Sequence, residues 1–272
     1  MGGDDLGSDD EYLNPSVTAD EGRLEALLKA EREEESDSKK RKVDVVEANN
    51  EEEEEDDDDM PKKKKKSSTR KLIEAARTLS LESAEVQASF LWTTLKHHIQ
   101  MKGGSVDDLT KLEPHHLATN QASDLFSRLR ASISMKKLKN WKPIGTPMVL
   151  IVCVSARRAV SVLKELARIK VPVAKLFAKH MEISQQRQLL STKAFGLAVG
   201  TPNRIQALCD GDDTSSDLSL RSTRLVILDS HANQKGFTVF TLPDTAPETM
   251  DLVSTRVLPQ LKKRKDIKLA IY

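Results

Sequence analysis

Cysteine is scarce in this chain of 272 residues: Cys153 and Cys209 are the only two, and neither belongs to a Cys-x-x-Cys pair or a Cys/His array of zinc spacing. That usage fits reduced thiols in a cytosolic or nuclear protein and excludes a disulfide framework. Ready metal chelates are missing too. Four of the six histidines form the adjacent pairs His97-His98 and His115-His116, and neighbours on a helix point about 100° apart. No apolar run approaches the roughly 18 residues of a membrane span, and the N-terminus lacks a basic-then-apolar leader. A soluble, intracellular protein with no metal, no cofactor, no membrane contact and no small-molecule substrate is expected.

Large net charge is also absent, but the total of +1 conceals two unlike parts. Residues 1–60 hold 24 Asp and Glu against 7 Lys and Arg, a balance of −17, leaving 36 basic and 18 acidic residues for the remainder, or +18. An acidic tail on a basic body implies a body that meets polyanions. From Met1 to about Arg70 the sequence is Asp, Glu, Lys and Ser, with an unbroken acidic block at Glu51–Asp59. Like charges at that density repel rather than fold, so 1–70 is expected to be a disordered tail. Within it, Leu24, Leu27 and Leu28 recur at helical spacing and mark a short partner-binding or merely transient helix. Two basic clusters, Lys39, Lys40, Arg41, Lys42 and then Lys62, Lys63, Lys64, Lys65, Lys66 after Pro61, read as nuclear import signals or nucleic-acid patches, and having two favours import.

Residues 71–144 carry helical periodicity. Ser83 can cap a helix whose apolar face is Val86, Phe90, Leu91, Leu95 and Ile99, ended by Gly103-Gly104. A second helix is expected over Gln121–Ser132, with Leu125, Phe126 and Leu129 inward. Trp92 reads as core, and Trp141 is a candidate for stacking on bases.

From 145 to 272 the period alternates. Apolar runs at 148–154, 173–177, 196–199, 224–229 and 267–272 predict strands, and helices fall at 156–169, 183–190, 203–208 and 247–261. Strands separated by helices of this size give an α/β fold, a single parallel sheet with right-handed crossovers and ligand-facing loops at the strands' carboxyl ends.

Three of those loops carry motifs: Ser155-Ala156-Arg157-Arg158-Ala159, Gly200-Thr201-Pro202-Asn203-Arg204-Ile205 and Asp229-Ser230-His231-Ala232. In order and spacing they resemble the first RecA-like domain of the DEAD-box RNA helicases, whose corresponding loops read Pro-Thr-Arg-Glu-Leu-Ala, Thr-Pro-Gly-Arg and Asp-Glu-Ala-Asp. The departures are chemical. That family needs a Gly-rich loop ending in Gly-Lys-Thr to hold phosphates and magnesium, and nothing ahead of Met148 fits: Gly103-Gly104-Ser105 and Gly145-Thr146 lack the lysine. In the acidic box Asp229 remains, but Ser230 replaces the catalytic Glu and Ala232 the last Asp, and a serine has no carboxylate to activate water. The sequence stops at Tyr272, where the family continues into a second RecA-like domain. A pseudo-helicase without catalytic residues is expected.

What the resemblance retains is the RNA side. Its first two loops touch the sugar-phosphate backbone, which implies RNA contacts by Ser155, Arg157, Thr201, Asn203 and Arg204, with Arg158 adding a cation. Lys262, Lys263, Arg264 and Lys265 cap the last helix and are further candidates.

The whole plan, together with Leu81–His98 and the Thr-Pro-Asn-Arg-Ile loop, is similar to the Cms family of nucleolar proteins. The resemblance implies a non-catalytic subunit of the 90S pre-ribosome, or small-subunit processome, in the nucleus and nucleolus, bound to pre-ribosomal RNA and assembly factors. Rival readings are an atypical NTPase and an acidic-tailed nuclear chaperone or replication factor without RNA contact.

Overall fold

The computed structural model describes residues 71–107, 109–119, 122, 124–178, 181–210 and 217–272. The predicted disordered tail, its Leu24–Leu28 segment and both import clusters lie outside them.

Helical turns over 71–78 lead to helix α1 (Ala84–Met101), which starts where the Ser83 hydroxyl accepts from the Val86 amide. It ends in a Schellman turn: Gly103, at φ +74, lets the Gly104 N–H reach the Ile99 carbonyl at 2.9 Å and the Gly103 N–H that of Gln100 at 3.0 Å. Both ends match the expectation, and so does the buried face except at Val86, with Phe90 and Ile99 partly buried against the core. Ala88, Leu91 and Leu95 form the stripe, and Val86, on the opposite side of the helix, is 46% exposed. Gln87 turns inward instead, donating to the Glu82 carbonyl at 3.0 Å. Trp92 is partly buried against the same core.

Helix α2 (Leu125–Ser132) begins four residues later than expected, because Asp124 caps it by accepting from the Ser127 amide and hydroxyl at 3.1 and 2.7 Å. Leu125 and Leu129 are buried, whereas Phe126 lies half-buried beneath the Arg168 guanidinium. Helix α3 (Met135–Lys139), capped by Ser134 and anchored by Leu138, is an element the periodicity does not show.

The sheet follows: β1 (Val149–Val152), α4 (Ala156–Leu166), β2 (Val173–Leu176), α5 (Ile183–Thr192), β3 (Leu197–Gly200), α6 (Pro202–Leu208), β4 (Leu225–Leu228), α7 (Thr245–Leu252), α8 (Leu258–Lys263) and β5 (Lys268–Ile271). All five strands run parallel in the order β2-β3-β1-β4-β5. Every residue of β1, β3 and β4 is buried, as strands covered on both faces require. One face sets Leu150, Val152, Ala198, Val226 and Leu269 against α1, α6, α7 and α8. The other buries Val149, Ile151, Val199 and Ile227 with Val162 and Leu166 of α4 and Leu125 and Leu129 of α2.

The single helix expected over 247–261 is α7 and α8 joined by a π turn, Val253–Val257. Pro259 explains it: without an N–H it cannot bond the Thr255 carbonyl, and its ring would press on that carbonyl in a regular helix. The segment ahead of β1 joins the sheet through isolated bridges, Leu117 to Leu269 at the outer edge of β5 and Ile144 to Ala194. It adds no strand there.

Candidate functional site

The chain leaves β1 toward one face of the sheet and leaves β3 and β4 toward the other, which makes the carboxyl end of β1 the topological switch point. The three motif loops meet there. Ser155 caps α4, its hydroxyl accepting from the Arg158 amide at 3.3 Å. Thr201 precedes α6, with Pro202 in the first helical turn. Gly200 is dictated by contact, since a Cβ on it would lie 2.2 Å from the Leu176 carbonyl oxygen.

At the centre, Arg158 donates through Nε and Nη2 to the two oxygens of Asp229 at 2.6 and 3.1 Å, and through Nη1 to Glu165 at 2.9 Å. This corrects the expectation that Arg158 adds a cation to an outward rim. Its side chain is 16% exposed and that of Asp229 is fully buried. A buried carboxylate without a partner costs several kcal/mol, so the fork of an arginine is held where it is needed. Burial alone would weaken the charge on Arg158, but the hydrogen bond and attraction of Asp229, then of Glu165, outweigh it and raise its pKa.

His231 completes the cluster, its Nδ1 lying 2.8 Å from Asp229 Oδ1 and 3.2 Å from Arg158 Nη2. With Nδ1 protonated it donates to the carboxylate. The Tyr272 ring lies 4.9 Å from His231, under the guanidinium groups of Arg128 and Arg158, and its hydroxyl donates to Glu165 at 3.1 Å. Burial first, then the negative charge of Glu165, raises the Tyr272 phenol above the ordinary tyrosine range. Ser230 is buried, and its amide and hydroxyl donate to the Tyr272 carbonyl at 2.6 and 2.9 Å. Ala232 is exposed and contributes no polar group. Cys153 lies just below, where burial and then Asp229 push the thiol well above its usual range.

Magnesium-bound nucleotide, the ligand of the helicase family, does not fit this donor set. Asp229 faces a permanent internal cation rather than open space, and Ser230 is committed to the backbone. The arrangement is a buried ion-pair network tying α4 to the carboxyl ends of β4 and β5.

The predicted RNA residues separate. At the carboxyl edge, exposed Asn203 donates to Glu248 at 2.8 Å, and half-buried Arg204 turns inward to the Met181 carbonyl and Gln186 Oε1 at 3.3 and 3.0 Å. Arg157 and Thr201 are half-buried on the same edge. Lys262, Lys263, Arg264 and Lys265 precede β5 and lie at the amino edge, so the expected set is not one surface; a strand of four residues spans about 13 Å. Arg264 is structural, donating to the carbonyls of Leu220 and Thr223 at 3.0 and 2.9 Å. Glu165, Tyr272 and Arg128 escaped sequence reasoning. Glu165 has a visible signal, standing seven residues after Arg158 on one helix face.

Comparison with known proteins gives the chain a lineage. A family described as a U3-containing 90S pre-ribosomal complex subunit matches residues 27–272. The chain belongs to this CMS1 family. Protein CMSS1 of Xenopus laevis is 34% identical over 126 residues, covering 45% of this chain and 44% of that protein. Protein CMSS1 of Homo sapiens is 30% identical over 141 residues, covering 51% and 49%. Protein CMS1 of Chaetomium thermophilum is 28% identical over 170 residues, covering 60% and 61%. The matched part of the chain spans about half the length of these relatives. The family is named for a place in a pre-ribosomal complex rather than for a reaction.

Proposed function

We propose that the chain is a non-catalytic assembly factor of ribosome biogenesis: a nuclear, nucleolar subunit of the 90S pre-ribosome that binds pre-ribosomal RNA and assembly factors during small-subunit rRNA maturation. The description of its family supplies the particle. One observation carries the absence of catalysis: Asp229, the surviving acid of the helicase-like box, is bound through both oxygens by Arg158. Magnesium would have to displace a guanidinium from a buried carboxylate, and no residue at Ser230 can then orient water.

In this reading the domain keeps the helicase shape as a docking body. At its carboxyl edge, Ser155, Arg157 and Thr201 are the proposed backbone contacts, while Asn203 and Arg204 hold the loop through Glu248 and Gln186. Binding of radiolabelled ATP and its turnover by the purified full chain test the first half. No saturable binding is expected, and hydrolysis that disappears in Asp229→Ala would overturn the proposal. Crosslinking in nucleolar fractions tests the second half, with reproducible pre-ribosomal RNA sites expected and their absence favouring a chaperone.

A further inference from the structure

A run of positive charge reaches from the motif loop at 155–159 back to a group of lysines that lies away from the motif loops. The stretch 125–164 contains nine Lys and Arg and no Asp or Glu. Four of its lysines, Lys136, Lys137, Lys139 and Lys142, are exposed on α3 and just after it.

Helix α3 sits at the amino edge of the sheet. The Leu138 carbonyl oxygen comes within 2.8 Å of where a side chain on Gly196 would begin, immediately ahead of β3, and Ile144 bridges Ala194. The edge continues through Gly145, whose carbonyl accepts from the Ser219 amide at 2.8 Å, into the turn ahead of β4. Arg264 then binds that turn through Leu220 and Thr223, ahead of β5. Exposed along this second half are Arg221, Lys262 and Lys265.

Among the described residues, the acids interspersed with these cations are paired: Asp210 with Arg256 at 3.7 Å, Asp217 with Arg187 at 3.1 Å and Asp266 with Arg264 at 2.9 Å. Trp141 stands between Lys139 and Lys142, half-buried, its indole N–H anchored on the Thr146 carbonyl at 2.8 Å. The carboxyl edge offers a different balance, since Arg158 faces Asp229 and Glu165, and Asn203 faces Glu248.

We propose that the amino edge, from the α3 lysines around Trp141 to Arg221, Lys262 and Lys265, is the main RNA-binding surface of this domain, opposite the helicase-like loops. Ammonium groups spread along an edge suit a repeating phosphate backbone, whose condensed counterions they release, and a Trp face among them suits an unstacked base. The inference rests on the reading that the chain binds RNA and says which side does so.

The test is a salt titration of a short fluorescein-labelled RNA hairpin against the full chain. Two variant sets are compared with the parent: K136Q, K137Q, K139Q and K142Q together, and R221Q, K262Q and K265Q together. Each set is expected to weaken binding about tenfold or more near physiological salt and to reduce the slope of log affinity against log salt by about 0.7 to 0.9 for each phosphate that is no longer neutralised. Arg157→Gln at the other edge should change that slope by about one at most. Should the first set not fold, the second carries the test.

If both sets bind like the parent while replacing Lys62, Lys63, Lys64, Lys65 and Lys66 abolishes binding, the surface is wrong and the RNA reading stands. A parent chain that does not bind the hairpin removes both. Displacement of the hairpin by polyglutamate as readily as by unlabelled RNA of equal charge would make the surface an acidic-peptide site and overturn the proposal.

Discussion

At the carboxyl edge of the sheet, charged groups face one another: Arg158 holds Asp229 and Glu165, His231 leans on the same carboxylate, and Asn203 meets Glu248. At the amino edge, Lys136, Lys137, Lys139, Lys142 and Lys265 face water. The two edges belong to one sheet, yet the first pairs its charges with one another and the second leaves these five lysines open. A motif position therefore tells little about binding until its partners are known. A charge that completes a network stabilises the fold, and a hydrated charge is available to a polyanion.

Four measurements on a purified chain would break or sharpen that contrast. Arg158→Ala is expected to cost about 3–5 kcal/mol, because it leaves Asp229 charged, buried and unpaired. Chemical denaturation reads this, and replacing both residues with leucine should recover much of the loss. A single replacement that unfolds no more easily than the parent would mean the network is not a stabilising unit.

Ser155→Ala should remove about 1 kcal/mol by leaving the first amides of α4 without their cap. Tyr272→Phe should cost about 1 kcal/mol at neutral pH, because the Glu165 carboxylate that accepts from its hydroxyl keeps Arg158 and is partly open to water. Its signature is in the pH profile. The Tyr272 phenol is raised in the folded chain, so its contribution is complete below the ordinary tyrosine range near 10 and is lost as pH rises through the folded value. The variant should flatten that alkaline fall, and an unchanged profile would remove Tyr272 from the cluster. Smallest of all, the glutamine set at Lys136, Lys137, Lys139 and Lys142 should leave stability within about 0.5 kcal/mol, since exposed side chains away from caps and networks carry little of it.

Much of the fold was legible along the chain. The apolar runs at 148–154 and 224–229 contain β1 and β4, and Ser83 and Gly103 mark both ends of α1. These signals are local, set by side chains within four residues of each other, and local physics reads them. The late start of α2 was missed because Asp124 outcompetes any earlier cap by offering both carboxylate oxygens to Ser127. The π turn was missed because its cause, Pro259, acts on a carbonyl one turn back inside an otherwise regular apolar pattern.

The site was legible as positions and not as roles. The loops at 155–159, 200–205 and 229–232 do converge, because a parallel sheet brings the carboxyl ends of its strands together. Which way each side chain turns depended on partners far along the chain. Arg158 and Asp229 are 71 residues apart and meet through the pairing of β1 with β4. Likewise, nothing near Lys136 reports that α3 ends up on the same edge as Arg221 and Lys262.

By itself the amino-acid sequence settled the acidic and basic parts, the two ends of α1, the buried strands and thus a parallel α/β sheet, because charge density, capping and hydrophobic period act over a few residues. Only the tertiary structure decided that Asp229 is shut in by Arg158, that Arg204 and Arg264 serve the fold, and that the open lysines share the opposite edge. Ion pairing and surface charge are properties of neighbours in space, and the sheet, not the order of residues, chooses those neighbours.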